Sequence, residues 1–518
     1  MSEFKILLAE NNKYWQDELK NYITTALKEV GCQDQDCSIK IFDNFFDAHQ
    51  ALNESRWNLL ITDLARLSGG DITVDTQKKL VGRQLITIAN QKQTPTIAIS
   101  GSPYVKIHHT VDLMEKQCFV FEKPSEELEK QTFDKNKFCA ILKQIWQQQN
   151  STIYHICIPN ADSVTVKKWT PGQQTPNGAT GSFNKDKLIE TVTPLLENYR
   201  NFIDNPGNIK KLGDALFDAL FDQDLRPDFF DSYQTIVKQN HQKLKIVLEI
   251  NESAMPEVIA YPWEFMCIPE KYNKGDIWFA TDRNLTFYRS RYSSLQEEPQ
   301  YIQLEKEQKL KIALFVAKPT SRKSETEPDL SNVEYYEIQN QLNQLSYQKA
   351  RMELLSVNNP AISKTVPSVL ETDKPDIFHF IGHGRLQEKK GELAFVKNSG
   401  EPDWKKAEDL SILFQKHHPK LVILQACNTG KESDLNAFSS VASRLMLQDI
   451  PIVIAMQFEV SNNTANIFMK TFYSEIANGK SVDTAMQEAR FNVSEEKGYE
   501  KPDFAIPVIY MTALNGKF

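Results

Sequence analysis

The stretch DIFHFIGHGRL (residues 376–386) is an apolar run that stops abruptly at a histidine between two glycines. Such a run is typical of a buried strand. A strand that only filled a core would not need this ending. Gly382 and Gly384 would let the backbone turn sharply and leave room for a substrate beside it. We therefore interpret His383 as a functional residue at the end of a strand.

A second apolar run, LVILQACNTG (421–430), ends in a similar way at Cys427, 44 residues after His383. Further strand patterns lie at 310–317 and 450–456, and helical patterns separate them. Strands that alternate with helices form a mainly parallel sheet, and sites form at the edge where the strands end. His383 and Cys427 should therefore meet at that edge.

The two side chains have the chemistry of a nucleophile and its base. A thiolate is a strong nucleophile, and a neighbouring imidazole that accepts the thiol proton activates it. The backbone N–H groups of Gly384 and Cys427 would form an oxyanion hole. A buried cysteine alone is usually inert, so the interpretation depends on the pair. His379 is in the same strand but not at its end, and we interpret it as a core histidine with satisfied hydrogen bonds.

These motifs resemble those of the caspase-like cysteine peptidases of clan CD. Caspases carry Q-A-C-[RQG]-G with the histidine about 50 residues upstream, whereas Asn-Thr-Gly follows Gln425-Ala426-Cys427 here. A more specific similarity is to the CHAT family, whose pattern is matched by these segments: HFIGHG (379–384), LQACNTG (424–430), IPIVIAMQFEV (450–460), FYSEIANGKSVDTAMQEAR (472–490) and, upstream, LKIVLEINESAMPEVIAYPWEFMCIP (244–269).

The CHAT resemblance covers about residues 150–518. It implies a caspase-like α/β fold with a pseudo-caspase half (150–300) followed by an active peptidase half (308–518). The active half would be a cysteine endopeptidase with a His383–Cys427 dyad, a protein substrate and no cofactor. The resemblance also implies a role in bacterial stress, cell-death or defence signalling.

Substrate preference is suggested by fewer residues. In caspases the glutamine two positions before the cysteine lines the specificity pocket, which would assign Gln425 to that pocket. Glu459 and Asp434 are acids that would favour a basic residue before the scissile bond. Phe458 stands where family members often carry tryptophan, which would alter packing beside the groove. Upstream, we interpret Trp263-Glu264 as a buried aromatic with a satisfied acid, and a binding role is the alternative.

The first 145 residues contain four more apolar strand patterns that alternate with helical stretches. Each strand delivers a polar residue at its carboxyl end, and these residues are Glu10, Asp63, Ser100 and Lys123. Such a parallel sheet binds ligands at this edge. Carboxylates can hold a divalent cation, an aspartate can accept a phosphoryl group, and a hydroxyl and an ammonium can hold its oxygens.

This segment (1–146) resembles the receiver domain of response regulators, which has a flavodoxin-like fold. The resemblance implies Asp63 as the phosphoacceptor, Ser100 and Lys123 as the switch residues, and Glu10 with Asp63 as Mg²⁺ ligands. A histidine kinase or another signalling protein would be the partner. Two features depart from the pattern: Asn11 replaces one acid of the usual pair, and 68–79 is an insertion. The alternative is a receiver-like module that never takes phosphate.

The composition excludes several classes of protein. A net charge of −8 disfavours nucleic-acid binding. No apolar run reaches the ~20 residues that span a membrane. Seven scattered cysteines do not suggest a disulfide framework, so we expect a cytoplasmic protein. Two functional hypotheses remain: a receiver-regulated cysteine endopeptidase, and a non-catalytic signalling scaffold that uses both folds as docking surfaces.

Overall fold

The structure is a computed structural model of the chain. It describes these residues: 4–29, 37–55, 57–64, 81–92, 94–100, 118–122, 133–149, 151–169, 177–196, 205–239, 242–273, 275–291, 309–320, 330–331, 333–348, 352–388, 390–415, 417–426, 437–446, 450–458 and 460–512. Of the predicted site residues, Lys123, Cys427, Asp434 and Glu459 lie outside the described residues.

The chain forms two compact units. The first comprises residues 1–152, 169–176 and 231–244, and the second comprises 153–168, 177–230 and 245–518. The domain boundaries inferred from the sequence stay predictions.

The first unit contains a five-stranded parallel sheet. Its strands are β1 (Phe4–Ala9), β2 (Cys37–Phe42), β3 (Leu59–Asp63), β4 (Thr96–Ser100) and β5 (Cys118–Glu122). They lie side by side in the order β2-β1-β3-β4-β5, which is the strand order of flavodoxin-like folds. The predicted fold class of this segment is therefore confirmed.

Helices cover both faces of this sheet. Successive side chains of a strand point to opposite sides, so the apolar strands present apolar residues on both faces. The helices are α1 (Lys13–Lys28), α2 (Phe45–Glu54), α3 (Val81–Gln91) and α4 (Lys135–Gln149). Ile6 and Leu8 of β1 belong to a core with residues of α1 and α4. Leu7 and Ala9 belong to a second core with residues of α2 and α3. Asn12 caps α1 by accepting a hydrogen bond from the backbone N–H of Trp15.

The second unit is built on an eleven-stranded sheet. Its strands in chain order are β6 (Thr152–Asn160), β7 (Ser163–Trp169), β8 (Asn177–Ser182), β9 (Leu244–Ile250), β12 (Leu285–Arg291), β13 (Leu310–Val316), β14 (Met352–Asn358), β15 (Ile377–Gly382), β19 (Leu421–Ala426), β20 (Ile452–Met456) and β21 (Pro507–Met511). Their spatial order is β14-β13-β15-β19-β20-β21-β12-β9-β6-β7-β8. The sheet thus draws strands from both predicted halves.

The pairing of β12 with β21 joins the two halves, with Arg289 opposite Tyr510. Most pairs around β15 and β19 are parallel, and β20 pairs with β21 in antiparallel fashion. Every residue of β15 and of β20 is buried, as expected for strands that helices cover on both faces. The predicted mainly parallel α/β sheet is confirmed.

Smaller elements complete the fold. Two short sheets contain β10 (Cys267–Ile268) with β11 (Ile277–Trp278), and β16 (Gly384–Gln387) with β17 (Lys390–Val396) and β18 (Pro402–Lys406). The remaining helices are α5 (Lys185–Leu196), α6 (Pro206–Leu220), α7 (Leu225–Ser232), α8 (Pro256–Ile259), α9 (Tyr336–Gln348), α10 (Val366–Asp373), α11 (Ala407–Phe414), α12 (Ala437–Met446), α13 (Asn462–Ala477) and α14 (Val482–Lys497), with a π-helix at Tyr233–Gln239 and 3-10 turns at Trp263–Phe265 and Pro502–Ala505.

Candidate active site

His383 lies between two strands at the carboxyl edge of the large sheet. It follows β15, precedes β16 and is buried. Its backbone carbonyl accepts a hydrogen bond of 2.9 Å from the N–H of Ala394 in β17. The chain therefore holds this histidine from both sides, first as the end of a central strand and then as the start of the small antiparallel sheet.

Neither flanking glycine has a positive φ, and Gly382 serves close packing. Among the described residues, the glycines with positive φ lie elsewhere in the chain. A Cβ at Gly382 would lie 2.8 Å from the ring of Phe380 and 3.0 Å from the Cβ of Ala317. Gly384 pairs with Leu393 of β17. A side chain at Gly382 would therefore push the chain away just before His383.

The register of β15 and β19 brings the residues that precede His383 and Cys427 to the same level. Gly382 pairs with Ala426, the last residues of these neighbouring parallel strands. The next residues along each chain are His383 and Cys427. Adjacent strands are about 4.8 Å apart, so Gly382 and Ala426 are close neighbours across this pair of strands. Cys427 itself lies outside the described residues.

His379 is a core histidine with both ring nitrogens bonded, as the sequence predicted. Its Nδ1 lies 2.8 Å from the hydroxyl of Tyr473, and its Nε2 lies 3.2 Å from Oε1 of Gln425. Because an amide oxygen only accepts, Nε2 carries the proton and Nδ1 accepts from the tyrosine. Burial lowers the pKa of His379 to about 3, although the bond to Gln425 opposes the shift. This histidine is neutral at pH 7.

Gln425 is buried beside His379 in the interior of the unit. Its amide oxygen is engaged by the histidine, and its assignment to a specificity pocket stays a prediction, as does that of Glu459. Tyr473 of α13 is a partner that the sequence analysis missed. The sequence offered little signal for it, because one tyrosine in an amphipathic helix reads as core.

The 3-10 turn Trp263–Phe265 is buried, which confirms the interpretation of a buried aromatic with a satisfied acid. Trp263 donates its indole N–H to the carbonyl of Val258 at 3.0 Å. Glu264 forms an ion pair with Arg289. Phe458, which the resemblance predicts to replace a tryptophan, packs against Phe265 with ring centroids 6.1 Å apart.

In the first unit, three predicted site residues lie at the ends of adjacent strands. Glu10 follows β1, and Asp63 and Ser100 end β3 and β4. Ala9 pairs with Thr62, so Glu10 and Asp63 are level, and Asp63 pairs with Ile99, the residue before Ser100. All three side chains are buried. The sheet therefore gathers a carboxylate pair and a hydroxyl at one edge, while Lys123 lies outside the described residues.

These two carboxylates suit a magnesium ion. Mg²⁺ is usually held by one or two carboxylates, with waters and phosphate oxygens as its other ligands. Oε1 of Glu10 accepts a hydrogen bond of 2.8 Å from the N–H of Asn12, which orients this carboxylate. Across the described residues, no group of three or more His, Cys, Asp or Glu side chains could hold a metal ion. The donor set fits a cation that also depends on phosphate and water.

Helix α3 packs closely against the backbone of Asp63, the predicted phosphoacceptor. A Cβ at Gly82 would lie 2.1 Å from the carbonyl oxygen of Asp63 and 2.9 Å from the Cα of Leu64. Contacts this short do not occur, so any side chain at Gly82 would displace the end of β3. The absence of a side chain at Gly82 is therefore what allows α3 to approach Asp63 this closely.

Residues 210–506 match the CHAT domain. No curated protein matches the chain. Within the described parts, every helix is too short or too polar to cross a membrane.

Similar solved structures include two crystal structures of the Saccharomyces cerevisiae separase–securin complex. They share 10% identity with TM-scores of 0.36 and 0.37 and cover 85% of this chain and 34% of that chain. The phosphorylated cyanobacterial phytochrome response regulator RcpA matches at 19% identity with a TM-score of 0.18, over 28% of this chain and 93% of that chain. The Francisella response regulator 1452 receiver domain matches at 16% identity with a TM-score of 0.18, over 27% and 95%.

Proposed function

We propose that this chain, which belongs to the CHAT domain family, is a cysteine endopeptidase that cleaves protein substrates through His383 and Cys427. The observation that carries the proposal is the pairing of Gly382 with Ala426. It brings the last residues of two neighbouring strands level, immediately before the two predicted catalytic residues. A thiol and an imidazole at such a position can share a proton, which activates the thiol.

The proposed reaction has two steps. The imidazole of His383 accepts the proton of the Cys427 thiol, and the thiolate attacks the carbonyl carbon of the scissile peptide bond. The C–N bond then breaks, the imidazolium gives its proton to the leaving amine, and a thioester remains on Cys427. Water then attacks the thioester carbonyl while His383 accepts its proton. The C–S bond breaks, the new carboxyl group is released, and the imidazolium returns the proton to the sulfur of Cys427, which restores the thiol.

Two backbone N–H groups, those of Gly384 and Cys427, would stabilise the negative oxygen of each tetrahedral intermediate. A donor of this kind contributes about 3–4 kcal/mol in comparable sites. His379 does not compete as the base, because its two nitrogens already bond Tyr473 and Gln425 in the core. The roles of Gln425 and Glu459 in substrate preference remain part of the proposal.

We further propose that the first unit regulates the peptidase as a phosphorylated receiver. The level positions of Glu10 and Asp63 at the strand ends support this role. Asp63 would accept the phosphoryl group from a histidine kinase or another donor, and Ser100 and Lys123 would hold the phosphoryl oxygens. Glu10 and Asp63 would hold Mg²⁺, which neutralises negative charge during phosphoryl transfer. Such an enzyme suits cytoplasmic stress, cell-death or defence signalling in a bacterium.

Comparison of new protein N-termini in cells that express wild type or Cys427→Ala tests the peptidase. We expect termini that depend on Cys427 and remain with Cys157→Ala, a control at a partly exposed cysteine elsewhere in the second unit. Loss of the same termini in Asp63→Ala would support the switch, and unchanged termini would contradict it.

A second assay separates a silent peptidase from a scaffold. A thiol-directed peptidyl inhibitor should label Cys427 of the purified chain, and His383→Ala should suppress that labelling. Identical termini in wild type and Cys427→Ala, together with no labelling, would contradict the peptidase and favour a non-catalytic docking role.

A further inference from the structure

The interior of the second unit contains an ion pair, Glu264–Arg289, close to the end of β20. Glu264, in the 3-10 turn of the first predicted half, is fully buried, and Arg289 at the end region of β12 is nearly so. Nε of Arg289 donates to Oε1 of Glu264 at 2.9 Å, and a second guanidinium nitrogen donates to Oε2. A buried ion pair needs further hydrogen bonds to offset its desolvation.

Gln457 supplies some of those hydrogen bonds. Its Nε2 donates to Oε2 of Glu264 at 3.0 Å and to the carbonyl of Ala505 at 2.7 Å. Its Oε1 accepts from Arg289 at 3.2 Å. Both ends of the amide are therefore hydrogen-bonded in a single orientation. We call Glu264, Arg289 and Gln457 together the Glu264 network.

Arg289 also anchors the network to the chain around the 3-10 turn. It donates to the carbonyls of Ile259 and Tyr261, each at 3.0 Å. Burial opposes the charge of Arg289, but Glu264 and Tyr510 outweigh that effect and its pKa is raised. The network thus has a buried, charged pair in the first predicted half, to which Gln457 is hydrogen-bonded.

Gln457 lies beside the end of β19, the strand that precedes the predicted nucleophile Cys427. Leu424 of β19 pairs with Ala455 of β20, so two residues further on Ala426 and Gln457 are level. The N–H of Gln457 also donates to the carbonyl of Ile506 at 3.0 Å. The next residue, Phe458, packs on Phe265 of the same 3-10 turn. Consecutive residues of the turn therefore contact consecutive residues after β20.

We infer that Gln457 is a positioning residue: the Glu264 network holds the segment that leaves β20 and thereby sets one wall of the substrate groove beside Cys427. This inference rests on the proposed function for the groove, whereas the holding of the segment is independent of it. The first predicted half then serves the reaction from a distance, by fixing the path of a chain in the second half.

If the network only stabilised the unit, the ion pair would matter more than Gln457. The carboxylate of Glu264 already pairs with Arg289, which also donates to the carbonyls of Ile259 and Tyr261 and to the hydroxyl of Tyr510. Removing the amide leaves that pair intact. The loss should therefore be felt mainly in the segment after β20, more than in the stability of the unit.

Gln457→Met tests the inference because methionine keeps the length of the side chain and removes its hydrogen bonds. The matched control is Gln487→Met, at another buried glutamine of the same unit, whose Nε2 donates to the carbonyl of Asp282. Hydrogen exchange of the peptide covering β20 and residues 457–461 is measured first. We expect exchange after residue 456 to become at least 10-fold faster in Gln457→Met only. Equal exchange in wild type and Gln457→Met would overturn the inference, whether or not the chain is a peptidase.

Cleavage kinetics then test the groove. We expect Gln457→Met to raise KM for a cleaved peptide about 10-fold, with kcat and the rate of Cys427 alkylation by iodoacetamide within threefold of wild type. Gln487→Met should leave all three values unchanged. Faster exchange with an unchanged KM would overturn the groove assignment. Absence of Cys427-dependent cleavage by wild type would instead refute the proposed function, and the exchange result would still stand.

Discussion

The buried histidine of β15 predicts how the stability of the second unit depends on pH. His379 is fully buried, and burial lowers its pKa to about 3 from an ordinary value near 6.5. The unfolded chain therefore binds a proton at this residue below pH 6.5, whereas the folded chain does not until pH approaches 3. Stability from this group is complete above pH 6.5 and is lost as the pH falls below it.

The size of the effect follows from the two pKa values. Each pH unit between them is worth about 1.36 kcal/mol. Protonation of the unfolded chain at pH 5 therefore costs the folded state roughly 2 kcal/mol relative to pH 7. His379→Gln removes the titrating group and keeps polar atoms for Tyr473 and Gln425. We expect this variant to be less stable at pH 7 but to lose about 2 kcal/mol less than wild type between pH 7 and pH 5.

The assay is urea unfolding of the full chain at both pH values. Hydrogen exchange of the β15 amides identifies the transition that belongs to the second unit, because the chain has two units and need not unfold in one step. His418→Gln is the control, since His418 is an exposed histidine of the same unit. Equal losses of unfolding free energy between pH 7 and pH 5 in wild type and His379→Gln would refute the conclusion that His379 is buried and neutral in the folded chain.

Other predictions concern the buried charge and the packing at Asp63. Glu264→Gln leaves the buried Arg289 without its counter-ion, so we expect a loss of about 3 kcal/mol or more in the free energy of unfolding. The control Arg283→Ala breaks an exposed ion pair with Glu488 and should cost at most about 1 kcal/mol. Comparable losses in the two variants would contradict the conclusion that burial makes the Glu264–Arg289 pair the more costly one to break. Gly82→Ala forces the end of β3 to move, so we expect a loss of about 1–3 kcal/mol by thermal unfolding of the first unit and slower phosphorylation of Asp63 by a small phosphodonor. An unchanged melting temperature and phosphorylation rate would show that α3 yields without disturbing Asp63.

Much of the architecture was readable from short-range patterns. The strands that end just before His383, at Asp63 and at Ser100 were each predicted from an apolar run with a polar ending, and the structure has them as β15, β3 and β4. Parallel pairing followed from the alternation of strands with helices. The interpretation of His379 as core also followed from its place inside the run, before the strand end.

Other features were not accessible in this way. The edge strand β14 and the three-stranded sheet that begins at Gly384 were not predicted, because their residues lack a strong alternating pattern. The joining of both predicted halves into one sheet depends on β12 and β21, which are more than two hundred residues apart in the chain. No local pattern specifies such a pairing.

The amino-acid sequence by itself determined where polar residues end the apolar strands, because a change from apolar to polar residues is a local feature that can be recognised without the fold. Only the tertiary structure decided which buried polar groups satisfy one another: His379 with Tyr473 and Gln425, and Glu264 with Arg289 and Gln457. The physical reason is that a buried polar group must find a partner wherever packing supplies one. That partner comes from whichever segment the fold brings near, at any distance along the chain.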